Sequence, residues 1–236
     1  MPPTTPSVDP ATRQRLLDAA GEIFADQGFR AATVRDICAR AGANGAAVNY
    51  HFGGKQDLYS TVFQYAHDCA MERHPVPVGV AAKPEVRLRA FIVSFLRRML
   101  DEGRPAWHGK LIAREMVEPT GVLDIMVAKG VRPQFEFLSQ VVRELVGDLP
   151  PERLRRLGAS VVAQCLFYFH ARPVITRLFP DLVFDDAEIA ALAEHIATFS
   201  LGGLAAAGRN RRAAVVTTKA KTAPKGRSTR RRKGRT

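Results

Sequence analysis

Apolar positions recur at helical spacing through most of the chain, and almost no stretch alternates as a strand would. The first stripe runs Leu16, Ala20, Ile23, Phe24 and Gly28. Asp9 followed by Pro10 supplies a cap and a first-turn residue that needs no N–H, and Gly28 supplies a stop. Thr33 with Asp36 three residues on has the form of a capping box. It opens a second stripe of Val34, Ile37, Cys38 and Ala41, which Gly42 ends. Asn44 is placed to cap a third short helix, 44–52, in which Val48 and Phe52 face inward at i, i+4. A fourth begins near Lys55 and carries Leu58, Val62, Phe63 and Ala66.

Residues 74–84, with three prolines and a glycine, read as a linker between a domain over 10–73 and a longer one over 85–208. The second half is predicted to hold helices over 85–101, 105–118, 122–146, 152–171 and 186–206, so the fold class is all-α. Gly158–Phe169 is apolar on nearly every side, as a helix buried on both faces would be. Phe199–Gly208 offers small residues that let another helix come close. Residues 1–9 are expected to be a flexible arm.

Charge divides the chain again. Of 35 basic residues, 12 fall in 209–236, which has no acidic residue; removing them leaves 23 basic against 23 acidic, so the net +12 belongs to the tail. That tail has nothing to bury and is expected to be disordered. An apolar content of 46% excludes global disorder. The opening residues lack a basic segment followed by an apolar run, and the apolar stretches fall short of the ~20 residues of a membrane span. Cys38, Cys69 and Cys165 are odd in number and far apart, which does not make a disulfide framework. A reduced, cytoplasmic protein without a membrane segment is the expectation. His67, Cys69 and His74 lack a second ligand pair at structural spacing, so no metal or other cofactor is expected. No GxSxG, GxGxxG or GxxxxGK[ST] pattern occurs, and neither a catalytic residue nor an enzymatic activity is expected.

The informative constellation lies at 33–55. Two short helices joined by the turn Gly42–Ala43 describe a helix-turn-helix, which presents its second helix to the DNA major groove. Gly45 and Ala46 are too small to block approach to base edges, with Asn44 beside them. Asn49 can bond a base or a phosphate, and Tyr50 and His51 can donate to phosphate oxygens. Lys55 adds a point charge, and Thr33 places a hydroxyl at a helix start. From Arg30 to Lys55 four basic residues meet one acidic one, whereas 1–75 as a whole holds seven basic and eight acidic residues. The positive charge is local, as a docking face requires.

The run Thr33-Val-Arg-Asp-Ile-Cys-Ala-Arg-Ala-Gly, followed by Val48-Asn-Tyr-His-Phe-Gly-Gly-Lys-Gln-Asp-Leu-Tyr59, resembles the DNA-binding domain of the tetracycline-repressor (TetR) family. The resemblance implies phosphate contacts from Thr33, Tyr50, His51 and Lys55, and base-edge approach by Gly45, Ala46 and Asn49. Asn49 departs from the family, which more often has Tyr there. Arg114-Glu-Met, Arg132-Pro133, Gln164–Pro173 and Phe199–Leu204 are similar to the CerR/CecR-type regulatory domain. In such proteins the last two long helices, here about 152–171 and 186–206, pair with those of a second subunit, and the other helices enclose an effector.

The expectation is a homodimeric repressor that binds a near-palindromic operator in double-stranded DNA and is released by a small apolar or aromatic effector. Candidate lining residues are Phe95, Trp107, Met116 and Tyr168, with His108, Glu115, Gln164 and His170 as polar groups set among apolar ones. Core packing or internal pairing is the competing role for each. A nucleoid-type protein that coats DNA through its tail, or a ligand-processing enzyme that kept an old DNA-binding domain, are the alternatives.

Overall fold

A computed structural model describes residues 9–79, 81–100 and 107–222, with side chains described as far as Arg209. Among the described residues every regular element is helical. The chain opens with α1, Pro10–Ala31, whose N-terminus is closed by the Asp9 carboxylate accepting from the N–H groups of Ala11 and Thr12. A hydrogen bond from the Thr12 hydroxyl, then those backbone donors, hold the Asp9 carboxyl below its usual range. Gly28, at φ 82°, breaks the helical backbone near the end of α1, as expected from its position. There follow α2 (Val34–Ala41), α3 (Ala47–Phe52) and α4 (Lys55–Arg73). Leu16, Leu17, Phe24, Ile37, Val48, Leu58 and Val62 from these four helices are fully or almost fully buried in a first core.

That core does not stop at the linker. Helix α6 (Trp107–Val117) packs along α1, and α7 (Val122–Met126) reaches α4. Trp107, Leu111 and Val122 join the first core. The indole of Trp107 lies over Gly21, where an added Cβ would sit 2.5 Å from the ring. Only a residue without a side chain lets α1 and α6 come this close.

The second core is built by α5 (Pro84–Leu100), α8 (Arg132–Val146), α9 (Pro151–His170), α10 (Arg172–Leu178) and α11 (Asp186–Thr222). Leu88, Ile92, Leu96, Leu138, Val141, Val142, Cys165 and Ala197 are at its centre. Burial pushes the Cys165 thiol up to about 12, which leaves it protonated and inert. The two cores meet where α4 ends. Ser94 donates to the carbonyls of His74 and Pro75, and Arg98, buried at 3% exposure, donates to the His74 carbonyl and to Gln134 Oε1.

Several elements differ from the sequence expectation. Helix α3 begins at Ala47 rather than Asn44, because the Asn44 side chain accepts from the Ala46 N–H at 2.9 Å and forms a turn of its own. The expected helix over 122–146 contains a π-helical turn, Val127–Val131. Pro133 follows it and has no N–H to return to the carbonyl four residues back, so the ladder widens there. Helix α10 was not expected; Pro173 opens it instead of ending the preceding pattern. Gly158–Phe169 is buried on one face, through Gly158, Val161 and Cys165, while Ala159, Ser160, Ala163 and Phe167 face outward.

The largest difference is at the end. Helix α11 does not stop near residue 206 but continues to Thr222, into the segment expected to lack structure. No glycine or proline interrupts 209–222, and its alanines and lysines are good helix formers once a helix is already nucleated. Residues 1–8, 101–106 and 223–236, which hold the expected arm, the expected ends of two helices and the rest of the tail, lie outside the described residues. Asp186–Arg209 is long and apolar enough to cross a membrane by length and composition, with a mean hydropathy of 1.4. Ile189, Leu192, Ala193, Ile196, Ala197 and Leu204 within it are nonetheless buried in the second core.

Candidate nucleic-acid interface

Helices α2 and α3 are held at a fixed angle by a short list of contacts. Gly42 takes the left-handed conformation (φ 59°, ψ 39°) and returns its N–H to the carbonyls of Ala39 and Cys38. Ala43 N–H donates to the Cys38 carbonyl at 2.9 Å, so the turn is closed twice. Val48, with no exposed surface, pins α3 onto Ile37 and Cys38 in the first core. What remains outward is Asn44, Gly45, Ala46, Asn49 and Tyr50, all exposed, with nothing within 4 Å of where a Gly45 side chain would begin.

The flanking residues sit as follows. Thr33 caps α2: its hydroxyl accepts from the Asp36 N–H at 3.1 Å and donates to the Asp36 carboxylate at 2.6 Å. The hydroxyl proton is therefore spoken for by Asp36 and must turn away from it to reach a phosphate. Tyr50 is 53% exposed and meets the His51 ring edge to face at 5.0 Å. His51 is half-buried, and its Nδ1 has no hydrogen-bond partner among the described residues. Lys55 opens α4, lies 4.7 Å from the Phe29 ring centre, and points its ammonium at the Arg30 carbonyl, 3.4 Å away. It so joins the end of α1 to the start of α4 beside the α3 face. The eight residues singled out from sequence gather on one side of one domain. All eight belong to α3 with its preceding turn or to the helix starts beside it, with His51 partly buried.

The eight effector candidates do not gather in one place. Trp107, His108 and Glu115 are buried on α6 against the helix-turn-helix domain, whereas Met116 on the same helix is 47% exposed. Phe95 is half-buried beside Phe91 in the second core, and Tyr168 packs there too. Gln164 bridges α9 to α11 by donating to Ser200 Oγ at 3.0 Å, and His170 is exposed at the end of α9. An open groove of about 510 Å³ between α1 and α6, lined by Asp26, Lys110, Arg114 and Glu118 among others, includes none of the eight.

Residues that carry the junction were missed as a set. Glu115 is fully buried and accepts from the Tyr59 hydroxyl at 2.9 Å, from Thr120 N–H at 2.7 Å and from the Thr120 hydroxyl at 2.9 Å. Burial first, and the bond to Glu115 second, push the Tyr59 hydroxyl well above its ordinary value. Arg114 donates to the carbonyls of Ala25 and Asp26 where α1 ends. Helix α6 is thereby tied to both α1 and α4. A polar residue inside an apolar stripe is the one sequence signal that marked Glu115; nothing local marks Tyr59 as its donor, 56 residues away.

Fold and exposed face together define a helix-turn-helix regulator with a separate helical regulatory domain. Residues 16–62 match the family model described as bacterial regulatory proteins, tetR family, and residues 84–204 match the one described as the C-terminal domain of the HTH-type transcriptional dual regulator CecR. The chain belongs to the TetR family, a family of transcriptional regulators rather than enzymes, and carries a CecR-type C-terminal domain. Among curated relatives it is 29% identical to CecR of Shigella flexneri over 145 residues, 57% of this chain and 65% of that protein. It is 34% identical to the transcriptional repressor KstR2 of Mycolicibacterium smegmatis over 96 residues, 40% of this chain and 47% of that one. The matched stretch thus spans less than two thirds of either relative. A crystal structure of AibR in complex with isovaleryl coenzyme A and operator DNA shares the fold, with a TM-score of 0.59 at 20% identity over 76% of this chain and 94% of that one.

Proposed function

We propose that the protein is a ligand-responsive transcriptional repressor that acts as a homodimer on a near-palindromic operator. The observation that carries this reading is the outward ridge from Asn44 to Tyr50, held by a buried Val48 and two closed turns, within the segment that matches the TetR family. Two such ridges in successive major grooves require a separation of about 34–36 Å, one turn of the duplex. Dimerisation is supported by the outer face of α9 and α11, where Ser160, Ala163, Phe167, Phe199, Gly202 and Gly203 are all exposed in the single chain. Rings of that size, beside glycines that let helices approach, are what a partner helix would cover. The protein acts in the cytoplasm, on the nucleoid when bound.

An effector held in the second domain would act by preferring a conformation in which the two ridges no longer match that spacing, since only differential affinity shifts an equilibrium. AibR, with an acyl-coenzyme A in its complex, is one precedent in the same fold for such a ligand. A small molecule with an apolar or aromatic body suits the Phe95 and Tyr168 side of the second core. Thr33, Asn44, Gly45, Ala46, Asn49, Tyr50, His51 and Lys55 are the DNA-contacting set. The coating-protein and enzyme readings find no support in relatives that are named as transcriptional regulators.

Selection from a random duplex library by the full chain tests this. The expected result is an inverted repeat; enrichment of no sequence overturns the reading. Lys55→Ala and Tyr50→Phe weaken all sequences alike, because phosphate contacts carry no sequence information, whereas Asn49→Ala changes base preference at one position of each half-site.

A further inference from the structure

We propose that α10 belongs to the contact between subunits: its outer face, with Phe179 and Val183 in the turn that follows, lies against a second copy of the chain. This rests on the homodimer reading above and adds to the α9 and α11 face an element that was not expected from sequence. The break between α9 and α10 is narrow. Ala171 N–H donates to the Phe167 carbonyl at 2.8 Å, and Ile175 N–H donates to the Ala171 carbonyl at 2.9 Å, so the helical ladder runs up to Ala171 and resumes from it. Ala171 itself keeps right-handed angles, φ −86° and ψ −1°. In between, Pro173 has no N–H to return to Phe169. Helix α10 therefore stays close to the rotational phase of α9. At ~100° per residue, Val174 and Leu178 fall within ~20° of the direction of Phe167. The exposures agree: Phe167 is 57%, Val174 58% and Leu178 67% exposed. The outer stripe of Ser160, Ala163 and Phe167 on α9 is carried on along α10.

The other side of α10 is seated on its own subunit. Ile175 is buried in the second core, and the Arg172 guanidinium lies over the Phe184 ring, 5.3 Å from its centre. Phe179 N–H bonds the Ile175 carbonyl and Leu182 N–H bonds the Phe179 carbonyl, which closes the following turn with Phe179 and Val183 left exposed. Arg177 folds back to donate to the Pro173 carbonyl of its own helix. Residues 174–183 therefore turn four large apolar side chains outward from a segment that is anchored on its inner side. A concentration of that kind marks an interaction surface.

Two observations make the occupant a second copy. The patch continues the face of α9 that carries Phe167, and a two-fold contact uses the same surface of both subunits, so apolar side chains meet apolar ones. The second is area. A stable interface buries about 800 Å² on each partner, and an aromatic ring supplies about 150–250 Å² at most. Phe167 and Phe199, each partly covered already, give a minor share of that, and the serine, alanine and glycines beside them add little apiece. Val174, Leu178, Phe179 and Val183 are the large exposed side chains that extend the same face. An added Cβ on Gly109 of α6 would lie 3.4 Å from the Phe169 ring, and α6 packs along α1. Helix α10 thus meets the partner at the end of the regulatory domain nearest the DNA-binding domain.

Sedimentation of the full chain on serial dilution tests this. Two variants are compared with the parent: an α10 variant with Val174→Gln, Leu178→Gln and Phe179→Gln, and an α9/α11 variant with Phe167→Gln and Phe199→Gln. The α10 variant is expected to dissociate at a protein concentration at least ~10-fold above that of the parent, with its helix content by circular dichroism unchanged. Where the triple variant loses helix content, Leu178→Gln alone is read in its place, with a shift of ~3-fold expected. Parental dissociation of the α10 variant, while the α9/α11 variant comes apart earlier, removes α10 from the contact and leaves the dimer reading standing. Parental dissociation of both variants, or a parent that is monomeric throughout, overturns the dimer face on α9 and α11 as well. Co-sedimentation of the parent, but not of the α10 variant, with phosphatidylcholine vesicles at unchanged dissociation gives the patch to a lipid surface and likewise overturns the proposal.

Discussion

In the first core the large rings turn inward. Phe24 and Tyr59 meet edge to face at 4.8 Å, Phe29 and Phe63 complete the cluster, and the Tyr59 hydroxyl ends on a carboxylate that has no exposed surface. Along α9 and α11 rings of the same kind turn outward: Phe167 is 57% and Phe199 68% exposed, and a side chain added at Gly202 or Gly203 on α11 would meet nothing within 4 Å. The same residue types serve two purposes. They tie α6 to α1 and α4 in one body; on α9 and α11 they leave surface to be covered. A rigid reading head and an unfinished dimer face are complementary needs in a two-fold regulator, since a partner can set the spacing of two heads only if each head is firmly attached to its own face.

The sharpest way to break that contrast is at Glu115. Replacing it by Ala strands the Tyr59 hydroxyl and the Thr120 donors in a buried place, at about 3 kcal/mol. Thermal or urea unfolding of Glu115→Ala is expected to show that loss, and a cost below about 1 kcal/mol would mean that water reaches the junction and the head is not rigid. Gly21→Ala comes next. Helix propensity alone favours Ala by up to ~1 kcal/mol, but a Cβ 2.5 Å from the Trp107 ring must move the ring or the helix, at about 1–3 kcal/mol. The clash wins, so a net loss of stability and a shift in Trp107 fluorescence are expected; an unchanged or higher melting temperature would show that α6 is loosely held.

How much of this could be read from residues alone follows the range of the interactions. The α2–turn–α3 unit was legible because every determinant lies within residues 33–48: Thr33 with Asp36, Gly42, and Val48 among small neighbours. The start of α3 was placed three residues early because Asn44 can cap a helix or close a turn with equal ease, and only the bond to the Ala46 N–H decides. Helix α6 was found as a helix but assigned to the wrong neighbours. Periodicity shows which face is buried, not which core receives it, and the contact of Trp107 with Gly21 joins residues far apart in the chain. The continuation of α11 beyond Arg209 was hidden by composition: a charged, small-residue segment reads as disordered when nothing is known of the helix that feeds it. Half of the effector candidates, His108, Glu115, Gln164 and His170, were chosen as polar residues in apolar surroundings. Glu115 and Gln164 meet internal partners, Tyr59 and Ser200, across helix pairs that no local pattern announces.

The Tyr59–Glu115 contact also has a pH signature of moderate size. A hydroxyl whose folded value lies above its unfolded value, about 10, keeps its proton longer in the folded state. Its contribution is fully present below pH 10 and is lost as pH rises toward the folded value, because there the unfolded chain gives up a proton that the folded one retains. Stability of the parent is expected to fall by about 1.4 kcal/mol per pH unit more steeply than that of Tyr59→Phe above pH 10. Parallel slopes in the two proteins would mean that the hydroxyl is open to solvent.

The smallest expected effect separates the two faces most directly, because it repeats a substitution already considered. At Gly202 an added Cβ meets nothing within 4 Å in the single chain, so Gly202→Ala should gain ~0.5–1 kcal/mol of helix stability where Gly21→Ala loses. That gain applies to the subunit alone. If a partner helix lies over this stretch at the short distance that paired glycines allow, the new methyl pushes the two subunits apart. Dissociation measured by sedimentation on dilution should then begin at higher protein concentration in the variant, even though each subunit melts no earlier. A variant that is more stable and associates as tightly as the parent would place the dimer contact elsewhere on α9 and α11. Phe167 and Phe199 would then have to meet the partner without Gly202 beneath it, a looser crossing that leaves the spacing of the recognition helices less firmly set.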